Sequence, residues 1–529
     1  MSHKLRMKSL VVGLGLAGAS LACAAAPAGT KLVAHAAALH TGDMVTGPMS
    51  LAQPMRVSVS LQLRNEAQLQ AFIANPNHPN LTPAQFIAQY GPREVDANAV
   101  AAWLMQHGFS DVSISSNHLL VSATAPAAAV QSAFHTNLVR VHTHDGRNAY
   151  ANSSDAAVPA SLHGVSGVLG LQTVHVPHPV GRVMKGKPGG GGGSIIGHNP
   201  TQFPSIYGGT SLPTAAGVTV GIISNGDLSQ TLSDLNTFTS QNGLATVTTQ
   251  IVNTGGTGTD TSGTAEWDLD SQDIVGMGGG QVGKIVFYNI PTLANSSMVA
   301  DFNTVVTANA SKVINVSLGE CETSAKGDGS AAAADAIFQQ ADAQGQTFSV
   351  SSGDAGSNEC GGSPKGTTPS WPASSPYVVA VGGTTLNATT TTWQGETVWS
   401  GTGGSPSTFE PIPSWQVGVG QNAGHTTRGV PDIAFDADPN SGAIIVVNGG
   451  PAQYGGTSLS SPLFVGFWAR MIAAKGTGIG FAAPKLYQLP ASAFHDVTSG
   501  NNGGERAASG WDYCTGFGSI IMGQAAASL

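Results

Sequence analysis

Short apolar runs and amphipathic segments alternate along this chain, and their arrangement changes near residue 180. In the first part, apolar and polar residues alternate over Arg56–Leu63, which predicts a half-buried strand. Thr82 and Pro83 predict the start of a helix, and Asn98 is a candidate N-cap for a helix ending before Gly108. Together these elements predict a small ferredoxin-like α+β domain of the split βαβ kind. Its further predicted elements are strands at Val112–Ser115, His118–Ala123 and Leu138–His142, and an Ala-rich helix ending at Phe134.

After residue 197 the pattern becomes one of continuous apolar runs separated by helical segments. Continuous runs of this kind are typical of strands buried on both faces, so we predict an α/β domain with a mostly parallel sheet and helices on both sides. Ligand sites in such sheets lie beyond the carboxyl ends of the strands, and Asp354 follows one strand directly. The predicted strands are Val218–Ile223, Lys284–Tyr288, Lys312–Ser317, Thr347–Ser351 and Tyr377–Val381, and the predicted helices are Leu228–Asn242, Ala265–Gly276, Met298–Ala310 and Ala331–Gly345.

The two patterns are joined by residues 175–197, which are rich in Gly, Pro and Lys and poor in apolar side chains. This composition predicts a flexible stretch with no packing capacity. It fits an ordinary interdomain linker or the cleavable junction of a propeptide equally well.

The N-terminus predicts export. Lys4, Arg6 and Lys8 precede an apolar run from Leu10 to Ala22, and small residues follow at 24–26, which is the pattern of a secretory signal peptide. Charged residues make up only 10% of the chain, there are 70 glycines, and the formal net charge is −9. A mildly acidic balance argues against a nucleic-acid binder, and we expect no membrane contact in the mature protein.

Candidate chemistry begins at Gly455–Pro462. Two glycines deliver Ser458 to a tight turn before an apolar helix, and Pro462 is expected in the first helical turn. A serine near a helix N-terminus sits where backbone N–H groups favour developing negative charge, as a nucleophile requires. The alternative is a Ser/Thr-rich cap on a buried helix.

Acidic residues supply the other candidates. Glu266 and Asp270 are four residues apart and share a helix face, with Asp273 close to the same face. The alternative interpretation is a solvated acidic face. His198, His425 and His495 lie in loop-like sequence with no triad-like context, so a carboxylate is the remaining candidate base, and such a base works best in acid.

Three motifs carry a resemblance to a known family: Glu266–Asp270, Ser351–Asp354 and Gly455–Pro462. They occur in the order found in the sedolisin (pseudomonalisin) family of serine-carboxyl peptidases, which are secreted, subtilisin-like and active in acid. Gly197–Pro200 resembles the start of the family's mature enzyme, and Leu81–Phe86 resembles part of its activation propeptide.

The resemblance implies roles for four residues. Ser458 would attack the scissile carbonyl, Glu266 would act as general acid and base, and Asp270 would orient Glu266. Asp354, in protonated form, would donate a hydrogen bond to the oxyanion together with the Ser458 N–H.

A calcium ion is the one implied cofactor. The C-terminal acids alone suit a solvated turn, but the resemblance assigns carboxylates of Asp496 and Asp512 and carbonyls of Val497, Ala508 and Gly510 as ligands. The family usually has Gly where this chain has Ala508.

Without Cys23, which lies in the signal peptide, three cysteines remain, so one disulfide and one free thiol are expected. The resemblance implies that Cys321 pairs with Cys360 and leaves Cys514 free.

The resulting prediction is a secreted or periplasmic zymogen that acts on polypeptides as a monomer and carries its propeptide as an intramolecular inhibitor and chaperone. Two rivals remain: a histidine-based subtilisin-like protease, and an inactive calcium-stabilised binding module. The predicted divisions are a signal peptide (1–26), an activation propeptide (27–180), a cleavable linker (181–197) and a peptidase domain (198–529).

Overall fold

The structure is a computed structural model that describes residues 29–183, 197–361, 366–476 and 478–529. The predicted signal peptide and most of the predicted cleavable linker lie outside these residues. We call residues 29–174 the N-terminal domain, residues 175–183 the connecting segment and residues 197–529 the C-terminal domain. No helix in the described ranges has the length and apolar character needed to cross a membrane.

The N-terminal domain is built on an antiparallel sheet that packs against helices. Its strands are β1 (Thr30–Ala34), β2 (Met44–Pro48), β3 (Pro54–Leu61), β4 (Ser110–Ile114), β5 (Leu120–Pro126), β6 (Leu138–His142), β7 (Asn148–Asn152), β8 (Ala156–Pro159) and β9 (Val165–Leu169), and its helices are α1 (Glu66–Ile73), α2 (Pro83–Gln89), α3 (Glu94–Gln106) and α4 (Ala127–Phe134). The central sheet has the order β4-β5-β3-β9 with every pair antiparallel. This is the ferredoxin-like arrangement that the sequence predicts.

One helix boundary in this domain differs from the prediction. Helix α3 begins at Glu94 with Arg93 as N-cap, so Asn98 lies inside the helix and does not cap it. Glu94 and Asp96 occupy the first turn, where carboxylates favour the positive end of the helix dipole, and Arg93 forms an ion pair with Asp96 at 2.7 Å. These charges start the helix one turn earlier than the Asn98 signal predicted.

The connecting segment forms two short strands, β10 (His178–Pro179) and β11 (Arg182–Val183). Val180, which lies between them, is only 4% exposed. The prediction that this stretch lacks packing capacity is therefore wrong at Val180. The reason is that backbone pairing with the C-terminal domain orders the segment, and such pairing needs few apolar side chains.

The C-terminal domain is a large α/β sandwich. Its strands are β12 (Ala215–Asn225), β13 (Thr249–Asn253), β14 (Val282–Ile290), β15 (Val313–Val316), β16 (Leu318–Cys321), β17 (Thr347–Ser351), β18 (Ser370–Trp371), β19 (Val379–Ala388), β20 (Trp393–Val398), β21 (Ser405–Pro411), β22 (Thr427–Val430), β23 (Ile433–Asp436), β24 (Ala443–Val447), β25 (Gly450–Gly455), β26 (Phe494–His495) and β27 (Ser519–Ile520). Its helices are α5 (Phe203–Ile206), α6 (Ser229–Gln241), α7 (Thr264–Met277), α8 (Asn295–Ala308), α9 (Glu322–Gly327), α10 (Ser330–Ala343), α11 (Thr457–Lys475), α12 (Ala483–Leu486) and α13 (Met522–Ser528).

The main sheet runs β13-β14-β12-β15-β17-β19-β23-β27-β26, with β20 attached to β19. Its pairs from β13 to β27 along this path are parallel, as the continuous apolar runs predict. Helices α7 and α11 contact each other, and α11 also lies against the centre of the sheet. A side chain on Gly466 of α11 would come within 2.7 Å of the Met277 Cβ, so the two helices approach closely at that point.

Candidate active site

Ser458 is the second residue of α11 and is fully buried. Gly456 caps the helix with a φ of 99°, a conformation that favours glycine. Pro462 lies in the second turn of the helix and not in the first, so that part of the prediction is wrong. Proline has no N–H, so the helix hydrogen bond that would reach the Ser458 carbonyl from position 462 is missing.

Asp354 fixes the start of this helix. It follows the carboxyl end of β17, and its Oδ1 accepts hydrogen bonds from the Thr457 N–H at 2.8 Å and the Thr457 hydroxyl at 3.0 Å. Ser351 adds a hydrogen bond from its hydroxyl to the Thr457 carbonyl at 3.0 Å. A carboxylate that accepts from the first turn stabilises a helix start, which explains why α11 begins before the proline.

Helix α7 carries the acidic pair. Its residues from Glu266 to Met277 are all buried, so the solvated acidic face is excluded. The Ser317 hydroxyl donates to Asp270 Oδ1 at 2.6 Å, and Asn315 also stabilises the ionised form of Asp270. Ser317 and Asn315 are not among the predicted site residues. They lie at the carboxyl end of β15, where ligand sites of parallel sheets are expected.

The electrostatics of this pair are dominated by burial. Burial raises the pKa of Glu266 well above its usual range, and the charges of Asp270 and Asp354 raise it further. The Ser458 hydroxyl and the Gly181 N–H act in the opposite direction and favour the carboxylate. Burial likewise raises the pKa of Asp270, and Ser317 counteracts it. The four predicted residues thus form one interacting group.

Several polar atoms of this group have no hydrogen-bond partner within the described ranges. They are Ser458 Oγ, Glu266 Oε1 and Asp270 Oδ2, all of them buried. Ser458 therefore lies beside Glu266 without a well-directed hydrogen bond to it. Buried polar atoms without a hydrogen-bond partner are rare, so each needs an explanation. A role in proton transfer is one such explanation.

The connecting segment passes through this group. Strand β10 pairs antiparallel with β16, joining His178 to Gly319, and β11 pairs antiparallel with β25, joining Arg182 to Gly455. Between them, the Gly181 N–H donates to Glu266 Oε2 at 3.0 Å. This contact could not be predicted from the sequence, because a Gly/Pro-rich composition carries no signal for strand pairing.

The three histidines of the C-terminal domain are engaged elsewhere. His198 packs against Phe203, His425 lies edge-on to Tyr513, and His495 stacks on Trp393 with ring centroids 3.8 Å apart. These contacts do not favour the histidine-based alternative.

Four of the five predicted calcium ligands form two hydrogen-bonded pairs in the C-terminal loops. Asp496 Oδ2 accepts from the Gly510 N–H at 2.9 Å, and Asp512 Oδ2 accepts from the Ala508 N–H at 2.8 Å. Across the described residues, no hydrogen bond is made to the carbonyl oxygens of Val497, Ala508 and Gly510. Two carboxylates and three carbonyls are all oxygen donors, so the chemistry of this set fits a calcium ion.

The cysteine arrangement matches the expectation. Cys321 and Cys360 form a disulfide, and Cys514 is a free, buried thiol. Cys321 ends β16, so the disulfide ties the strand that holds the connecting segment to the loop after Asp354.

The fold and this grouping define a class: a subtilisin-like peptidase with an N-terminal activation domain. Residues 42–174 match the family described as pro-kumamolisin, activation domain, and residues 216–489 match the subtilase family. Sedolisin of Pseudomonas sp. (strain 101) is 46% identical over 91% of this chain and 88% of its own length. Xanthomonalisin of Xanthomonas sp. (strain T-22) is 44% identical over 89% of this chain, which spans 65% of that relative.

Among solved structures, Pseudomonas sedolisin, a serine-carboxyl proteinase in complex with two molecules of pseudo-iodotyrostatin, matches with a TM-score of 0.60. It is 48% identical and covers 63% of this chain and 98% of its own. The chain belongs to the sedolisin family of serine-carboxyl peptidases, which are serine-type peptidases made with an activation domain.

Proposed function

We propose that this protein is a secreted, acid-active endopeptidase that cleaves polypeptides through an acyl-enzyme on Ser458 and is made as an inactive zymogen. The observation that carries the proposal is the convergence of Ser458, Glu266 and Asp354 on one stretch of extended backbone, whose Gly181 N–H binds Glu266. An extended peptide held between two strands beside a nucleophile and a base is in the position of a substrate.

Each residue then has a role. Glu266 takes the proton of Ser458 as the hydroxyl attacks, and returns it to the departing amine. Asp270, held by Ser317, orients and tunes Glu266. The oxyanion is stabilised by the Ser458 N–H and by Asp354, whose Oδ1 is already bound by Thr457.

The protonation requirements explain an acid optimum. Glu266 must be ionised to act as a base, whereas Asp354 donates only as a carboxylic acid. The carboxyls interact, so the pH–rate profile reports the pKa values of the whole group. We expect activity to be lost as pH rises, because the proton that Asp354 must donate is lost.

The N-terminal domain serves as the intramolecular inhibitor, since its connecting segment occupies the site. We propose a calcium ion on Asp496, Val497, Ala508, Gly510 and Asp512 as a structural element that takes no part in the reaction. Export by the predicted signal peptide, the predicted domain boundaries and a monomeric state belong to the same proposal.

The test is acid-dependent hydrolysis of a denatured protein in the presence of an aspartic-protease inhibitor. We expect full activity near pH 4 in the wild type and a loss on the order of 10⁶-fold in Ser458→Ala. An optimum at neutral pH would support a histidine base, and inactivity of processed wild-type protein at every pH would support the binding-module alternative.

A further inference from the structure

The register of the connecting segment identifies one peptide bond. His178 pairs with Gly319 and Pro179 pairs with Leu318, whereas Arg182 pairs with Gly455. Two residues lie between the paired strands, Val180 and Gly181. The bond that joins them therefore crosses the space between β16 and β25, where Ser458 and Glu266 lie.

Both ends of this bond have partners suited to its hydrolysis. On the amine side, the Gly181 N–H lies 3.0 Å from Glu266 Oε2, where a general acid must deliver a proton to the departing nitrogen. On the acyl side, a methyl group on Gly456 would lie 2.7 Å from the Val180 carbonyl oxygen and 2.6 Å from Asp354 Oδ2. The carbonyl oxygen and the proposed oxyanion donor thus share the space beside Gly456, next to the start of α11.

The glycine at position 181 makes this approach possible. A Cβ at this position would lie 2.2 Å from Glu266 Oε2, well inside contact distance. Val180 contributes the opposite feature, an apolar side chain that is almost fully buried at 4% exposure. The segment is therefore anchored by Val180 and closely approached by Glu266 at Gly181.

We propose that Val180–Gly181 is the first bond that the enzyme hydrolyses in its own chain, a step that rests on the function proposed above. Ser458 Oγ bonds to the Val180 carbonyl carbon while its proton passes to Glu266. The C–N bond breaks, Glu266 returns the proton to the Gly181 nitrogen, and residue 181 becomes a free amine. Water then hydrolyses the Val180 ester, which regenerates Ser458 and leaves a Val180 carboxylate.

The same register assigns the surfaces that hold other substrates. Residues before the scissile bond of a polypeptide pair with β16, and residues after it pair with β25, in both cases through backbone hydrogen bonds. Backbone pairing gives the paired residues an affinity that does not depend on their side chains.

The experiment is a timed shift of purified full-length protein from neutral pH to pH 4, with intact-mass measurement and N-terminal sequencing of the earliest products. We expect one fragment ending at Val180 and one beginning at Gly181, at a rate independent of protein concentration. An earliest new N-terminus elsewhere would overturn the register while leaving the proposed function in place. If no cleavage occurs, and protein whose N-terminal domain has been removed by an added protease has no activity on a denatured substrate, the proposed function itself fails.

A matched pair of variants tests the close approach. Gly181→Val should slow cleavage at this bond by about 10²-fold, because a side chain there displaces the bond from Glu266. Gly395→Val, in strand β20 with open space around it, should process at the wild-type rate. Thermal unfolding of both variants in a Ser458→Ala background separates slowed chemistry from misfolding. Cleavage of folded Gly181→Val after residue 180 at the wild-type rate would contradict the proposal.

Discussion

Two carboxyl groups of the N-terminal domain and a set of buried ones in the C-terminal domain lie in opposite environments. In the N-terminal domain, partial burial raises the pKa of Asp43, but hydrogen bonds from His144 and His40 outweigh it and leave the pKa below its usual value. Hydrogen bonds from Thr143 and Arg147 hold the pKa of Asp145 well below its usual range. These acids are ionised and partnered.

In the C-terminal domain, many acids are buried. Burial raises the pKa of Asp301 to about 8, and burial together with the charge of Asp234 raises the pKa of Asp268 to about 9. Burial also raises the pKa values of Asp273 and Asp342. Asp301 and Asp268 therefore hold their protons at acidic and neutral pH, and Asp273 and Asp342 hold theirs to higher pH than an exposed carboxyl does.

The two environments have opposite consequences for stability. A carboxyl whose folded pKa is raised contributes stability below its unfolded pKa of about 4, and that stability is lost as pH rises toward the folded value. The depressed Asp43 and Asp145 contribute stability above about 4 that is lost in stronger acid. Acidification from neutral pH to pH 4 therefore adds stability through the buried acids of the C-terminal domain, whereas the stability that Asp43 and Asp145 contribute is lost only in stronger acid.

The largest difference in kcat should be between a variant of the proposed catalytic acid Glu266 and a variant of the N-terminal acid Asp43. Glu266→Gln should lower kcat on the order of 10⁴-fold at pH 4 and leave the precursor uncut, because Gln can neither accept nor return the proton. Asp43→Asn, in the N-terminal domain, should leave the kcat of the processed enzyme unchanged. Steady-state kinetics on a denatured protein measures both. Retention of most activity by Glu266→Gln would exclude the proposed base.

A smaller effect is expected at Asp354. Asp354→Ala should lower kcat by roughly 10²–10³-fold, because one oxyanion donor is lost. Asp354→Asn keeps an acceptor for Thr457 and supplies an N–H that needs no proton from solvent. Its kcat should therefore exceed that of the Ala variant and fall less steeply with rising pH. Identical pH profiles for the Asn variant and the wild type would show that Asp354 does not set the alkaline limb.

Calcium removal should affect one domain only. In calorimetry of the uncut Ser458→Ala protein, a chelator should lower the Tm of the C-terminal domain by several degrees and leave the transition of the N-terminal domain in place. Asp496→Asn should reproduce the lower Tm and abolish the response to chelator. A chelator-sensitive N-terminal transition would place the ion elsewhere.

Substitution of Asp301 should change the Tm by a few degrees. Burial raises the pKa of Asp301 to about 8, so the folded protein resists ionisation of this acid and loses stability as pH rises. Asp301→Asn removes this effect. Its Tm should exceed that of the wild type at pH 7 and match it at pH 4, with about 2–4 °C for each kcal/mol regained. An equal change at both pH values would mean that packing, and not protonation, decides the outcome.

The smallest effect concerns His175, in the connecting segment. Burial lowers its pKa, the Ala38 carbonyl and the charges of Asp328 and Asp43 raise it, and the charge of His40 lowers it. Because the folded pKa is depressed, His175 contributes stability above its unfolded pKa of about 6.5 that is lost as pH falls. The residue therefore favours retention of the N-terminal domain at neutral pH.

His175→Gln should move the release of the N-terminal domain to lower pH in the uncut Ser458→Ala protein, as followed by hydrogen exchange. His163→Gln, an exposed histidine of the N-terminal domain, is the matched control. If both variants shift the pH of release equally, His175 does not control the release of the N-terminal domain.

Much of this architecture could be predicted from sequence because it depends on local pattern. The apolar run at Thr347–Ser351 forms a strand with the predicted limits. The motifs around Glu266, Asp354 and Ser458 lie at element ends, where the parallel-sheet rule places ligand sites.

What escaped prediction depends on long-range contacts. Helix α11 starts at Thr457 because Asp354, 103 residues earlier, binds its first N–H group. Gly181 reaches Glu266 across 85 residues, and no composition rule detects such pairing. The burial of α7 likewise depends on the surrounding elements. Its own acidic sequence also fits a solvated face.

The close contact at Gly466 has a consequence for how the enzyme can change. Gly466 lies eight residues after Ser458, roughly 12 Å along the helix, and its missing side chain lets α11 rest against Met277 at the end of α7. The close contact at Gly466 therefore helps to fix the distance between α7 and α11, and with it the distance between the proposed nucleophile Ser458 and the proposed base Glu266. A methyl group at Gly466 would push the two helices apart and so displace Ser458 and Glu266 relative to each other.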